Sequence, residues 1–140
     1  MKVYVPLDSA AIALGADGVA SAIAAYARAR GMDIEIVRNG SRGMVWLEPL
    51  VEIETDGTRR AFGPVAPADV PALMEGKLDS LGPVEDIQFF ARQTRLTFAR
   101  CGLIDPHSLA DYTAHGGLSG LKHALPMSGA EMVETVTASG

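Results

Sequence analysis

Arg38-Asn39-Gly40-Ser41-Arg42-Gly43 lies between two short apolar runs, Ile34-Glu35-Ile36-Val37 before it and Met44-Val45-Trp46-Leu47 after it. Both flanks read as strands, so the six residues form a loop. Two residues four apart around one glycine, with a second glycine just after, let a tight turn aim two side chains at one point. With Cys in both places, that spacing would suit two thiolates on an iron–sulfur cluster. Here both are Arg, which keeps its proton and cannot ligate a cation. The loop has the form of a metal site and lacks its chemistry.

Outward from the loop, Val3 and Val5 alternate with Lys2 and Tyr4 over residues 2–6, a half-buried strand stopped by Pro6. Asp17 can cap a helix from about Gly18 to Arg30, with Val19, Ile23, Tyr26 and Ala27 on one face and Gly31 as its stop. Beyond the loop, Val51-Glu52-Ile53-Glu54 and Arg59–Phe62 flank Asp56-Gly57, a strong hairpin signal. Asp69 precedes Val70-Pro71-Ala72-Leu73-Met74, a capped helix with Pro in its first turn, ended at Gly76. The order is β-α-β-β-β-α with a mixed sheet.

Residues 77–86 read as a linker. From 87 to 140 the signals are mostly helical: Asp105-Pro106 as a helix start, Leu118, Leu121 and Leu125 along a short amphipathic helix stopped at Pro126, and Ser128-Gly129-Ala130-Glu131 as a capping box.

The loop and its flanks resemble the thioredoxin-like two-iron ferredoxins, whose second ligand pair has the form C-x-G-x-C-G. The Cys positions fall on Arg38 and Arg42, the glycines on Gly40 and Gly43. The first pair of that family follows the first strand, and the matching stretch, Leu7-Asp8-Ser9-Ala10-Ala11-Ile12-Ala13, has no Cys. Phe62-Gly63-Pro64-Val65 running into the Asp69 helix is similar to that family's last strand and helix. The second half resembles another fold. Arg95-Leu96-Thr97-Phe98-Ala99-Arg100-Cys101-Gly102-Leu103-Ile104-Asp105-Pro106, Asp111-Tyr112, Gly116-Gly117 and Val133 to Gly140 look like the entry to the flavoprotein of respiratory complex I.

Together these resemble the N-terminal region of the beta, NAD-reducing flavoprotein, subunit of soluble formate dehydrogenases. The resemblance implies an α/β fold: a thioredoxin-like βαβββα domain over 1–76 without cluster ligands, the linker 77–86, and the helical start of a flavoprotein module over 87–140, cut before the flavin loop. It implies flavin mononucleotide and a four-iron cluster in the continuation of the parent subunit, and none in this chain. The implied partners are a molybdenum- or tungsten-dependent catalytic alpha subunit, a ferredoxin-like gamma subunit and the rest of the beta subunit. The parent complex would convert formate and NAD to carbon dioxide and NADH, while this stretch by itself is expected to be inactive.

Composition bounds the alternatives. A net charge of −5 argues against a nucleic-acid or anionic-membrane surface. No apolar run approaches the roughly 20 residues of a membrane helix, and the chain enters a strand at once with no signal peptide in front. A single Cys excludes an internal disulfide and any Cys-rich metal site, which fits a reducing cytoplasm.

Other candidate sites are weaker. Cys101 has no second Cys and no recognisable His partner, so it is expected to be buried and inert. His107, His115 and His123 recur every eight residues, whereas helical metal pairs need three or four; they are expected to be solvated or capping groups. The loop matches no phosphate-binding motif and leads into a strand rather than a helix. Glu48, Glu52 and Glu54 alternate as on a solvated sheet face. The loop's two readings are a plain turn and a protein contact, in which Arg38, Arg42 and Trp46 would be the interface anchors. A free-standing thioredoxin-like redox or small-ligand-binding protein is the alternative function; lack of C-x-x-C counts against it.

Overall fold

The N-terminal alternation becomes β1 (Lys2–Tyr4), which pairs in parallel with β2 (Glu35–Val37) on one side and antiparallel with β3 (Val51–Thr55) on the other. β3 turns back into β4 (Thr58–Phe62) through Asp56 and Gly57, both at positive φ (51° and 75°), as a two-residue hairpin of this hand requires. β5 (Gly82–Pro83) completes a mixed sheet of order β2-β1-β3-β4-β5. Between β1 and β2 the chain forms α1 (Ser9–Ala13), capped by Asp8, and the long α2 (Ala16–Arg30), closed by Gly31. α3 (Val70–Met74) follows β4. The fold is α/β and thioredoxin-like, in a computed structural model that covers all residues from Met1 to Gly140.

Because side chains alternate across a strand, each strand serves two layers. Val3, Val5, Val51 and Phe62 face α2 and α3 and form the main core with Val19, Ile23, Val70 and Leu73. The opposite face carries Tyr4, Glu52 and Ala61, in register as Tyr4↔Glu52 and Glu52↔Ala61. A smaller core of Met44, Leu50, Ala61, Val84 and Phe90 lies there. Phe90 comes from α4 (Gln88–Ala91).

Several elements differ from expectation. Residues 45–47 form a single 3-10 turn instead of a strand, with Met44 and Leu50 buried on either side while Val45 and Trp46 face solvent. α2 starts at Ala16, so Asp17 sits in its first turn rather than at its cap. The stretch 77–86, read as a linker, contributes β5 and the buried Val84, and the unit containing the sheet extends from Met1 to Pro106.

The second unit, His107–Gly140, is helical: α5 (Leu109–Ala114), α6 (Ser119–Ala124) and α7 (Gly129–Ser139). α5 is capped by Ser108, three residues beyond the Asp105 start expected from Asp-Pro. α7 opens with the anticipated capping box, Ser128 Oγ accepting from the Glu131 amide while Glu131 accepts from the Ser128 amide. No helix is long and apolar enough to cross a membrane.

Candidate functional site

The loop 38–43 is fastened at both arginines, and the two are used differently. Arg38 folds back on the chain: Nε donates to the Val5 carbonyl at 3.1 Å, and Nη2 to the Pro6 carbonyl at 3.1 Å and to Asp17 at 2.6 Å. It thereby ties the end of β2 to the end of β1 and to the first turn of α2, where a carboxylate also complements the helix dipole.

Arg42 goes inward. Its side chain is 3% exposed and meets Glu52, 1% exposed, through two parallel bonds, Nε–Oε1 at 2.8 Å and Nη2–Oε2 at 2.9 Å. Its third nitrogen, Nη1, donates to Glu85 at 3.0 Å. Burial works against the Arg42 charge, but the hydrogen bonds and attraction of Glu52, then of Glu85, outweigh it and push the pKa above its ordinary value. Arg59 flanks the same carboxylate at 3.6 Å and Glu54 at 3.8 Å, with its guanidinium 3.5 Å above the Tyr4 ring. The Tyr4 hydroxyl donates to Glu54; burial, then that bond, raises its pKa to about 12. Two arginines and two glutamates thus share one sheet face, each charge met by an opposite one.

Glu48 is a separate buried carboxylate. Oε1 accepts from Ser41 Oγ at 2.9 Å and Oε2 from the Leu50 amide at 2.8 Å. Burial pushes its pKa up, and those two bonds only partly oppose the shift. Asn39, fully buried, donates from Nδ2 to the Gly102 carbonyl at 2.8 Å.

These placements correct the solvated-face reading of the carboxylates. Glu48 and Glu52 are buried, because residues 42–50 and 84–90 cover that side of the sheet. Arg42 cannot reach a partner's surface: it grips carboxylates, as its forked donors favour, but they belong to its own chain. Arg38 is mostly occupied by its own backbone. Trp46 is 60% exposed and stacks edge-on against Phe89 at 5.3 Å, so of the three interface candidates it alone offers a free face. Cys101, expected to be buried, is exposed. His107, His115 and His123 are exposed, and His115 Nδ1 lies 2.9 Å from the Asp111 carbonyl within its helix.

A cluster does not fit this loop. The side chains at 38 and 42 are cations committed to carbonyls and carboxylates, and the Asp8 carboxylate caps α1 through the Ala10 and Ala11 amides. Fold and loop together define a thioredoxin-like unit closed around an internal ion-pair network. The chain matches no family profile. A stretch of 49 residues, 35% of the chain, is 45% identical to the NADP-reducing hydrogenase subunit HndC of Solidesulfovibrio fructosivorans. That match spans 10% of the hydrogenase subunit's own length.

Proposed function

We propose that this chain is a structural and docking part of an NAD-linked flavoprotein subunit, of the kind that serves a molybdenum- or tungsten-dependent formate dehydrogenase. The observation that carries the reading is the loop itself: a ferredoxin-like strand–loop frame in which Arg42 and Glu52 form a buried bidentate pair. Such a pair maintains shape and commits both side chains to each other. The similarity to a subunit of an NADP-reducing hydrogenase supports placement in an oxidoreductase complex that exchanges electrons with a nicotinamide. Flavin mononucleotide and a four-iron cluster would be held by residues outside this stretch and would supply the redox chemistry of the parent. The exposed Trp46–Phe89 pair is the docking anchor on this unit, since aromatic side chains dominate interface energetics.

Two measurements test the proposal. The purified chain, reconstituted anaerobically with iron, sulfide and flavin mononucleotide, is expected to stay colourless; stoichiometric binding of either would refute the structural role. Affinity capture from the native cell is expected to recover a formate dehydrogenase catalytic subunit and a ferredoxin-like subunit. Recovery of a hydrogenase catalytic subunit instead would retain the flavoprotein reading and reject formate as the substrate.

A further inference from the structure

Between α4 and α5 no regular element forms, and the chain from Arg95 to Ile104 is held mainly by polar groups. Two consecutive carbonyls, Gly102 and Leu103, are met by side-chain donors from elsewhere, and a third, Cys101, by Arg95 at the start of the segment. Arg95 Nη1 reaches Cys101 O at 3.4 Å, Asn39 Nδ2 reaches Gly102 O at 2.8 Å, and Arg59 Nη2 reaches Leu103 O at 2.9 Å. Arg59 Nη1 adds a longer contact to Gly102 O at 3.4 Å, and Arg95 Nη2 ties back to the Arg42 carbonyl at 3.1 Å. Gly102 has φ +80°, and a Cβ there would lie 2.2 Å from Arg42 Cδ, so the backbone rests directly on the arginine stem. Apolar anchoring is thin. Ile104 is buried, whereas Leu96 is 83% and Phe98 64% exposed.

A segment with many polar fastenings and few buried apolar contacts belongs to the low-stability end of a fold, where local opening precedes global unfolding. Opening here has a small penalty in buried charge. Arg42 and Glu52 keep their mutual pair, while Asn39 and Arg59 exchange carbonyl partners for water.

We propose that residues 95–104 form a releasable strap, latched onto the 38–43 loop and Arg59, that opens while the sheet stays folded. Latched, it fixes the point at which the chain leaves the first unit at Pro106. Released, its ten residues can span at most roughly 33–36 Å, which turns a fixed exit into a tether for whatever follows. The loop is then the receptor of an intramolecular catch, whichever complex the chain serves.

The experiment uses the full chain and two variants that loosen the catch from opposite sides, Asn39→Ala and Gly102→Ala. Amides of Cys101 and Leu103 are held by turn bonds to Phe98 O and Arg100 O within the strap, so hydrogen exchange reads the loss of the turns that the latch supports. Trypsin reads it independently at Arg95 and Arg100. In both variants, exchange at 101 and 103 and cleavage at those arginines should rise at least about tenfold, with amides of Val3, Val51 and Ile53 unchanged. Unchanged strap rates in either variant would overturn the proposal. So would equal acceleration of strap and sheet, which would make the segment an inseparable part of the core.

Discussion

Replacing Arg42 by Ala should be the most damaging single change near the loop. It removes both bonds to Glu52 and leaves that carboxylate, 1% exposed, with Arg59 at 3.6 Å as its nearest cation. Breaking a buried pair from one side costs about 3–5 kcal/mol, chiefly the desolvation of the stranded charge. Arg59 compensates in part, which favours the lower end, and the lost Glu85 bond adds less than about 1 kcal/mol because Glu85 is 67% exposed. A loss of about 3 kcal/mol is a large share of a typical 5–15 kcal/mol stability. For a unit of this size it should lower Tm by roughly 12–20 °C. Urea unfolding followed by far-ultraviolet circular dichroism would measure it. The double variant Arg42→Met/Glu52→Met removes both charges together and should cost no more than about 1–2 kcal/mol, since an apolar pair of similar volume can replace a buried ion pair. A single variant costing under about 1 kcal/mol would refute the reasoning, as would a double variant costing the sum of the two singles.

Glu48, whose pKa is raised by burial, gives a pH dependence of definite sign. The folded state holds its proton to higher pH than the unfolded chain, so stability falls as pH rises from the ordinary carboxylate value towards the raised one; Glu48→Gln should flatten that fall in urea titrations across the same window. Tyr4, raised to about 12, should give a late component in a titration followed by phenolate absorbance, and Tyr4→Phe should delete it. Gly63→Ala would place a Cβ 2.4 Å from the Leu47 carbonyl oxygen, a backbone atom with little room to move, and should cost about 1–3 kcal/mol in the same unfolding assay.

What was legible in the sequence was local. The period-two pattern of Val51–Glu54, the Asp56-Gly57 turn and the Ser128–Glu131 box depend on neighbours a few residues away, and each formed where expected. The Met44–Leu47 run was misjudged because a short apolar stretch fits a strand or a turn equally, and here burial of Met44 and Leu50 decides. Alternation also sorted Glu52 onto the face opposite Val51 correctly, yet could not say whether that face meets water. Its cover comes from residues 42–50 and from residues 84–90, the latter more than thirty positions away, and a buried Glu has the same letter as a solvated one. The inward turn of Arg42 followed from that same unseen cover. Once Glu52 is buried, its charge is met by burying Arg42 with it, whereas the buried Glu48 is met by Ser41 and the Leu50 amide.

The strand order has a consequence for association. The two edges of the sheet are β2, three residues long, and β5, two residues of which one is Pro83 with no amide hydrogen to offer. Short edges and a proline leave little template for a foreign strand to add itself by backbone pairing. The unit is therefore protected from edge-to-edge aggregation by the shortness of its own margins. Engagement of a partner through side chains is thereby favoured over extension of the five-stranded ladder.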